Sequence, residues 1–579
     1  MLTMEQALHQ WTSETLKRYF ELLGGKRLTR KADLVDYICR QMLDKATLSR
    51  TWQQLEPLAQ RAVSSAYHNE GLFDAQAFIA QYGALPPRSQ PIGYFYDSRR
   101  TPVLFDLFVI NEQIPVDLIP HLTALVLPLE RFQLVGVEVL PGTVIQDRDI
   151  YSVELAETEI TGRADLLTFL QLVDQGALKW GSNNKRLTAG SVHKVLTQLV
   201  AGDFHPEPEK ITGRNVIRPF GLDMFTQGAN LVAYGGKLSP AGRKYLHTQD
   251  PAVFLEAFER WAEQSTFDEL TRIDQLHGLN ARGTSLTLPA SRREKIIEAL
   301  SWCPTHTWID IHDFYRAIKI WHFDFDVEAT QWSNLYAGPY KDYGYMGTED
   351  YWLIVRGLYI NAVIMEYLAT IGAVDIAYVS EDASFVGASV SVMYIDSAYS
   401  LHDGLLYFRI NNWGAFLLGQ ADEYIPTLLP QRDLFVIDEG LQLHVLTDLL
   451  PNEQLQLEVM ADPIEDKVYL LSVEKLLTAV ESGQEFELLA GFLTKHHHGL
   501  LPQTVIDWLA QLKRNVGVFT EGKTAIMIQL KEPRALTVIE HDTTLSRLCR
   551  PLDSTTVVVS SSNLQKFRKR LKALGYLLG

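Results

Sequence analysis

Residues 230–246 read NLVAYGGKLSPAGRKYL. The run gives a short strand, a turn at Gly235-Gly236, a return strand and a closing helix. Two successive glycines supply the positive φ that a tight hairpin turn needs. Two helices come before it: ADLLTFLQLVDQ (164–175), which meets Gly176, and AGSVHKVLTQLV (189–200), which starts with Thr188 as N-cap. ALKWGSNNKRLT (177–188) lies between them.

This is winged-helix order, and such a fold sets its second or third helix in a DNA groove. Lys185, Arg186 and Lys194 are therefore candidate nucleic-acid contacts, although the recognition helix is sparsely basic, with His193 and Lys194 only. Residues 290–420 repeat the scheme at greater length. SRREKIIEALSW opens it and WIDIHDFYRAIKI follows. NAVIMEYLATIGAVDIAYV (361–379) reads as a long amphipathic helix running into a strand. GLLYFRINNWGAFLLG (404–419) then parallels the end of the first unit. Two modules of one type are the simplest account.

In the last quarter, DLFVIDEGLQLHVL (433–446) is a strand–turn–strand. DKVYLLSVEKLLTAVESG (466–483) is a strand, a Ser-capped helix and a glycine stop. Residues 487–519 give two helices joined at Leu501-Pro502, then a strand. TAIMIQL (524–530) is a strand, and 554–579 give a strand, a loop and a basic helix. This order resembles the XPB N-terminal domain family, found before the motor of XPB-type helicases and in motor-less bacterial helicase-associated proteins. The resemblance is carried by Phe435-Val436-Ile437, by Tyr469-Leu470-Leu471-Ser472, by Leu501-Pro502-Gln503 with Val505 and Trp508, and by Leu574-Gly575-Tyr576. It implies a DNA-facing accessory role without a complete helicase motor.

At the other end, TLKRYFELLGGKRLTRKADLVDYI (15–38) reads as two short helices around a basic loop. Leu16, Tyr19, Phe20 and Leu23 have helical spacing, and Leu34, Tyr37 and Ile38 restart it. The string resembles a SAP-type DNA-binding motif, departing from it at Thr29, where a glycine is usual. A helical hairpin that caps the next domain is the alternative. The expected fold class is α+β and multidomain, with tandem winged-helix-type modules plus a C-terminal α/β XPB N-terminal-like domain. The expected divisions are a helical region with the SAP-like motif (1–88), a connecting α/β segment (89–158), winged-helix-like modules at 159–250 and 251–428, the second with an aromatic-rich insertion, and the XPB N-terminal-like domain (429–579).

Charge bears on function. The 579 residues sum to a net charge of -17, which argues against a non-specific DNA coat, since neutralising phosphate takes Lys and Arg. Local patches still act locally. The expected nucleic-acid contacts are Lys26, Arg27, Arg30 and Lys31 in the N-terminal loop, Lys185, Arg186 and Lys194, and Arg568, Lys569 and Lys572 of the final helix, which also holds Lys566 and Arg570. On that helix Leu564, Phe567, Leu571 and Leu574 should face the core. Cys39, Cys303 and Cys549 are odd in number and far apart, which fits a reducing compartment. The first residues lack the pattern of a signal peptide, and apolar stretches such as Leu122 to Leu140 are broken by charges and fall short of a membrane span. The expected location is the cytoplasm, with no membrane partner.

Several motifs invite a catalytic reading. Gly517 to Thr524 matches GxxxxGK[ST]. A phosphate loop leaves a strand and opens a helix. Here a helix comes before and a strand after, which reads as a β-hairpin turn and makes the motif a decoy. Leu434 to Glu439 resembles the acidic motif of such motors, but it precedes the loop, and Gly440 suggests a turn. Cys303, His306, His312 and His322 fit no trusted zinc spacing. His496-His497-His498 reads as a solvated loop. The aromatics from Trp321 to Trp352 sit among acids, which suits protein contact or packing better than phosphate tracking. No metal or other cofactor is expected. The reading is a non-enzymatic DNA-binding accessory protein, binding DNA modestly and salt-dependently beside a partner such as a helicase or nuclease in DNA repair, transcription or genome defence. A protein-interaction scaffold built on the winged-helix modules is the alternative, and a divergent ATPase a third.

Overall fold

The computed structural model describes residues 2–88, 101–130, 132–146, 149–182, 185–329, 334–337, 351–379, 399–427, 432–518 and 524–578. The fold is mixed α+β, with 47% helix, 14% strand and several small antiparallel sheets. Helices therefore supply most of the buried surface. Buried apolar side chains gather in four large clusters, over 4–122, 134–418, 434–512 and 528–567.

In the first cluster, α1 (Ser13–Leu22) and α2 (Lys31–Leu43) pack face to face. Leu16, Tyr19 and Phe20 of α1 and Leu34 and Ile38 of α2 are buried, at the positions their spacing predicts. The Phe20 and Tyr37 rings meet edge to face at 4.7 Å. Further on, α3 (Ala75–Tyr82) carries the contact to the central body, where Arg316 Nε donates to Ala80 O at 3.1 Å.

The central body begins with a hairpin of β1 (Thr143–Gln146) and β2 (Asp149–Ser152), then β3 (Glu154–Ala156). Helices α4 (Glu159–Asp174), α5 (Ala189–Leu196) and α6 (Arg218–Gly228) lead to β4 (Val232–Ala233) and β5 (Lys237–Leu238). Helix α7 (Pro240–Thr248) closes this set. Gly235 and Gly236 have φ of +95° and +73°, and a Cβ on Gly236 would meet the Trp180 ring at 2.2 Å. Both turn geometry and packing therefore call for glycine there.

Next come α8 (Pro251–Gln264), α9 (Pro289–Ser301), β6 (Ile309–Asp310), α10 (Ile311–Ile320), a central helix (Trp352–Ala369), β7 (Val374–Tyr378), β8 (Leu405–Ile410) and α11 (Asn412–Leu417). The sheet order is β3-β7-β8-β6, antiparallel throughout. The amphipathic helix expected from residue 361 is instead buried all round from Leu358 to Ala369. Its polar residues are paired from distant elements. Tyr315 Oη donates to Asn361 Oδ1 at 2.6 Å, and Arg272 Nε donates to both Glu366 oxygens, at 2.8 and 3.1 Å. Buried polar groups need such partners. The expectation that no apolar stretch reaches membrane-spanning length is also corrected. Among the described residues, Trp352–Ala369 is long and apolar enough, and 89% of it is buried inside the body.

The third cluster holds β9 (Phe435–Ile437), β10 (Gln442–Val445), α12 (Pro451–Glu458), β11 (Ala461–Glu465), β12 (Val468–Leu471), α13 (Val473–Glu481), α14 (Phe486–His496) and α15 (Gln503–Asn515). Its sheet runs β9-β10-β12-β11. Local signals were followed here. Asp438 Oδ1 accepts from Gln442 N at 2.9 Å inside the β9–β10 turn, and Ser472 Oγ caps α13. The last cluster holds β13 (Ala525–Gln529), α16 (Arg534–His541), β14 (Cys549–Pro551), β15 (Thr556–Ser560) and α17 (Leu564–Ala573), with sheet order β13-β15-β14.

Three local expectations fail here. The strand placed just before Gly517 is a turn following α15, and β13 pairs with β15 rather than closing a hairpin across 517–524. The three histidines are not a solvated loop. The 496–498 backbone lies beside β9, and His497 is buried. Leu574 is exposed, because α17 ends before it can turn that side chain inward.

Candidate nucleic-acid interface

The N-terminal cations stand on the loop between α1 and α2. Tyr37 Oη donates to Leu23 O at 3.4 Å, Leu28 packs on the cluster, and Lys31 at the start of α2 is tied to His9 O, so both ends of the loop are fixed. Between these anchors Lys26, Arg27 and Arg30 are exposed, with no side-chain hydrogen bond or ion pair among the described residues. Arg27 has φ +72°, a conformation that an L side chain enters at a cost. Lys31 differs. It is half-buried, and its Nζ donates to His9 O at 2.8 Å, so it ties the loop to the chain before α1.

A second group surrounds the β4–β5 turn. Lys185 is exposed with φ +54°, and its Nζ lies 4.0 Å from the centroid of the Tyr234 ring. Tyr234, at the turn itself, is 77% exposed. A cation over an exposed ring presents both charge and a stacking surface. Tyr234 was not singled out from the sequence, and the signal for it was an aromatic residue directly before Gly-Gly. Arg186 does not join this group. Its guanidinium lies over Phe220 and Phe267, at 5.4 and 5.3 Å, and burial together with Arg272 and Arg214 pushes its pKa down. Lys194 is exposed on α5, one residue from His193, which lies 3.5 Å from Glu207.

The third group is on α17. Phe567 is fully buried, and Leu564 and Leu571 pack beside it. Lys566, Arg568, Lys569 and Lys572 are exposed. Arg570 faces the other way, donating to Asp542 Oδ2 from Nη2 at 2.6 Å and from Nε at 3.0 Å. That pair, with backbone donors from Leu545 and Thr544, takes the Asp542 carboxyl down to about 2. The three groups belong to three different cores.

No protein-family model matches this chain, and no curated protein matches it.

The residues weighed for catalysis or metal binding make the following contacts where they are described. Residues 519–523, including Lys523, lie outside the described residues, but they connect the end of α15 to β13, so helix precedes and strand follows. Asp438 serves the β9–β10 turn. Cys303 Sγ faces Ala299 O, and His322 pairs with Asp74 at 3.4 Å, so that set does not converge. The three adjacent histidines go to separate partners. His496 contacts Arg432 O, His497 lies against Ile437 O, and His498 pairs with Asp433 at 2.7 Å. Of the aromatic run, Phe323, Phe325 and Trp352 are buried, and Trp352 Nε1 donates to Asp324. Trp332, Tyr340, Tyr343 and Tyr345 lie outside the described residues.

Proposed function

We propose that this protein is a non-enzymatic DNA-associated accessory factor that works in the reducing interior of the cell beside a helicase or nuclease. On this reading the sets α4-α5-α6-β4-β5 and α9-β6-α10-central helix-β7-β8 are tandem winged-helix modules. The elements from β9 onward are an XPB N-terminal-like domain. The observation that carries the reading is the N-terminal loop. Lys26, Arg27 and Arg30 stand exposed between two anchored helices, without acid partners among the described residues, on an otherwise acidic protein. Cations unpaired within the fold can release counterions from phosphate.

The test is fluorescence anisotropy with labelled duplex DNA. Lys26→Ala/Arg27→Ala/Arg30→Ala should bind several-fold more weakly with an unchanged melting temperature. Equal binding by this variant rejects the N-terminal contact. Recovery of a helicase or nuclease with the tagged protein tests the partner. A protein-interaction role through the connecting segment, not the winged-helix modules, has one specific support, the cross-strand pair Ile145 and Ile150 on the β1–β2 hairpin, 74% and 69% exposed. A variant with Ile145→Ser and Ile150→Ser that loses its protein partner while keeping DNA binding would favour it.

A further inference from the structure

The hairpin of β4 and β5 turns through Tyr234-Gly235-Gly236, closed by the Ala233–Lys237 pair and by Gly236 N donating to Ala233 O at 3.1 Å. Tyr234 is 77% exposed at this tip, and the Lys185 Nζ lies 4.0 Å from its ring centroid. A lone exposed ring is ordinary on a protein surface. This one stands in a frame that fixes both the ring's loop and its cation. Trp180 lies under the loop, where a Cβ on Gly236 would meet its ring at 2.2 Å. Trp180 Nε1 donates to Asp223 Oδ1 at 2.7 Å, and Asp223 also accepts from Leu187 N at 3.0 Å and from Gln227 Nε2 at 2.7 Å. Gln227 Nε2 donates as well to Lys185 O at 3.1 Å, and Lys185 N donates to Gly181 O at 3.0 Å. A single buried carboxylate on α6 thus ties down the indole beneath the loop and the segment that carries the cation.

The charge around the tip is an independent observation. Neither 177–202 nor 224–249 contains an Asp or Glu, although the whole chain has a net charge of -17. Lys179, Lys185 and Lys237 are exposed, and none forms an ion pair among the described residues. Such a patch attracts a polyanion locally, whatever the sign of the whole molecule. Phosphate contact alone has no use for a ring, and a ring alone has no use for cations. A flexible chain that carries phosphates and bare flat bases uses both. In a duplex the bases already stack on their neighbours, so a side-chain ring reaches a base face only at an end or where bases are unpaired.

We propose that the β4–β5 tip grips single-stranded DNA, with one base stacked on the Tyr234 ring face opposite Lys185 and the flanking phosphates met by Lys185 and Lys237. The proposal rests on the DNA-associated reading of the protein and adds to it the form of the DNA. It does not depend on the N-terminal loop, which lies on a different core.

The test is fluorescence anisotropy on the full chain with a labelled oligothymidylate, and competition by a relaxed circular duplex, which has no ends. Tyr234→Ala alters an exposed side chain and should keep the parent melting temperature. It should bind the oligothymidylate roughly five-fold or more weakly, the low end for one base–aromatic stack, and the circular duplex less than about two-fold more weakly. Tyr234→Phe keeps the ring and should bind like the parent. Lys185→Ala/Lys237→Ala should flatten the slope of log K against log salt for the oligothymidylate by about 1.4, at about 0.7 for each phosphate on a single strand. Oligothymidylate binding that Tyr234→Ala leaves unchanged overturns the proposal while the N-terminal contact stands. So does an equal loss for the circular duplex, which makes the tip a backbone contact, or an equal loss in Tyr234→Phe, which makes the hydroxyl the contact. A salt slope unmoved by the lysine variant overturns the phosphate half. A parent that binds neither DNA ends the proposal together with the reading beneath it.

Discussion

Arg27 shows how a single residue can separate stability from binding. Its φ of +72° is natural for glycine, and a side chain there costs roughly 1–2 kcal/mol. Glycine recovers that cost but adds about 0.5–1 kcal/mol of unfolded-state entropy. Arg27→Gly is therefore expected to leave stability unchanged or raise it by about 1 kcal/mol. Arg27→Ala keeps the strain. Both remove the same cation, so both should weaken DNA binding equally. Chemical denaturation and anisotropy on the two variants check this, and a glycine variant that binds like the parent would show that Arg27 is strained for another reason. Arg570 and Arg568, two residues apart, divide differently. Arg570 is held by Asp542, so Arg570→Ala should bring the Asp542 carboxyl up from about 2 toward the ordinary aspartate range. A depressed carboxyl stabilises the fold above its unfolded pKa and loses that stabilisation as pH falls through the folded value. The acid side of the stability profile, below about pH 4, should therefore flatten in Arg570→Ala. Carboxyl NMR titration reads the shift directly, and an unmoved Asp542 midpoint would remove Arg570 as its cause. Arg568→Ala should leave that midpoint alone.

At the scale of elements, the central helix depends on partners that lie far away in sequence. Glu366 is fully buried, and Arg272 is 94 residues away. Arg272 also donates to Arg214 O and Val216 O. Removing one member of a buried pair leaves an uncompensated charge and costs about 3–5 kcal/mol. Arg272→Ala should lose that much in urea unfolding. A loss below about 1 kcal/mol would mean that the pair is not the anchor of this helix. The same element shows where sequence reading stopped. Periodicity read the stretch from residue 361 as amphipathic, because the residues that satisfy its polar Asn361 and Glu366, Tyr315 and Arg272, are invisible to a local window. Features decided within a few residues were legible: the Gly235-Gly236 turn, the Asp438 turn and the Ser472 cap. The candidate site was legible in the same partial way. Runs of cations located the loop and the final helix. Which cations point outward was not legible, because Lys31, Arg186 and Arg570 are drawn inward by His9, by Phe220 with Phe267, and by Asp542.

For the whole molecule, the balance lies between an acidic body and a few outward cations. A net charge of -17 repels a polyanion at long range, and salt screens that repulsion along with the attraction of the patches. Contacts to phosphate add a separate dependence through released counterions, with a slope of about -0.9 in log K against log salt for each phosphate neutralised. If Lys26, Arg27 and Arg30 make three such contacts, the slope is about -2.7, and affinity falls roughly 40-fold between 50 and 200 mM salt. Removing all three should flatten the slope by that amount. Lys31 is left out because its bond to His9 is structural, and its loss would confuse folding with binding. Anisotropy titrations at four salt concentrations give the slope for the parent, for the N-terminal variant and for Arg568→Ala/Lys569→Ala/Lys572→Ala. An N-terminal variant with the parent's slope, beside a flattened α17 variant, would move the DNA contact to the other end of the protein. An affinity that changes less than two-fold across the range in the parent would rule out phosphate contact at either patch.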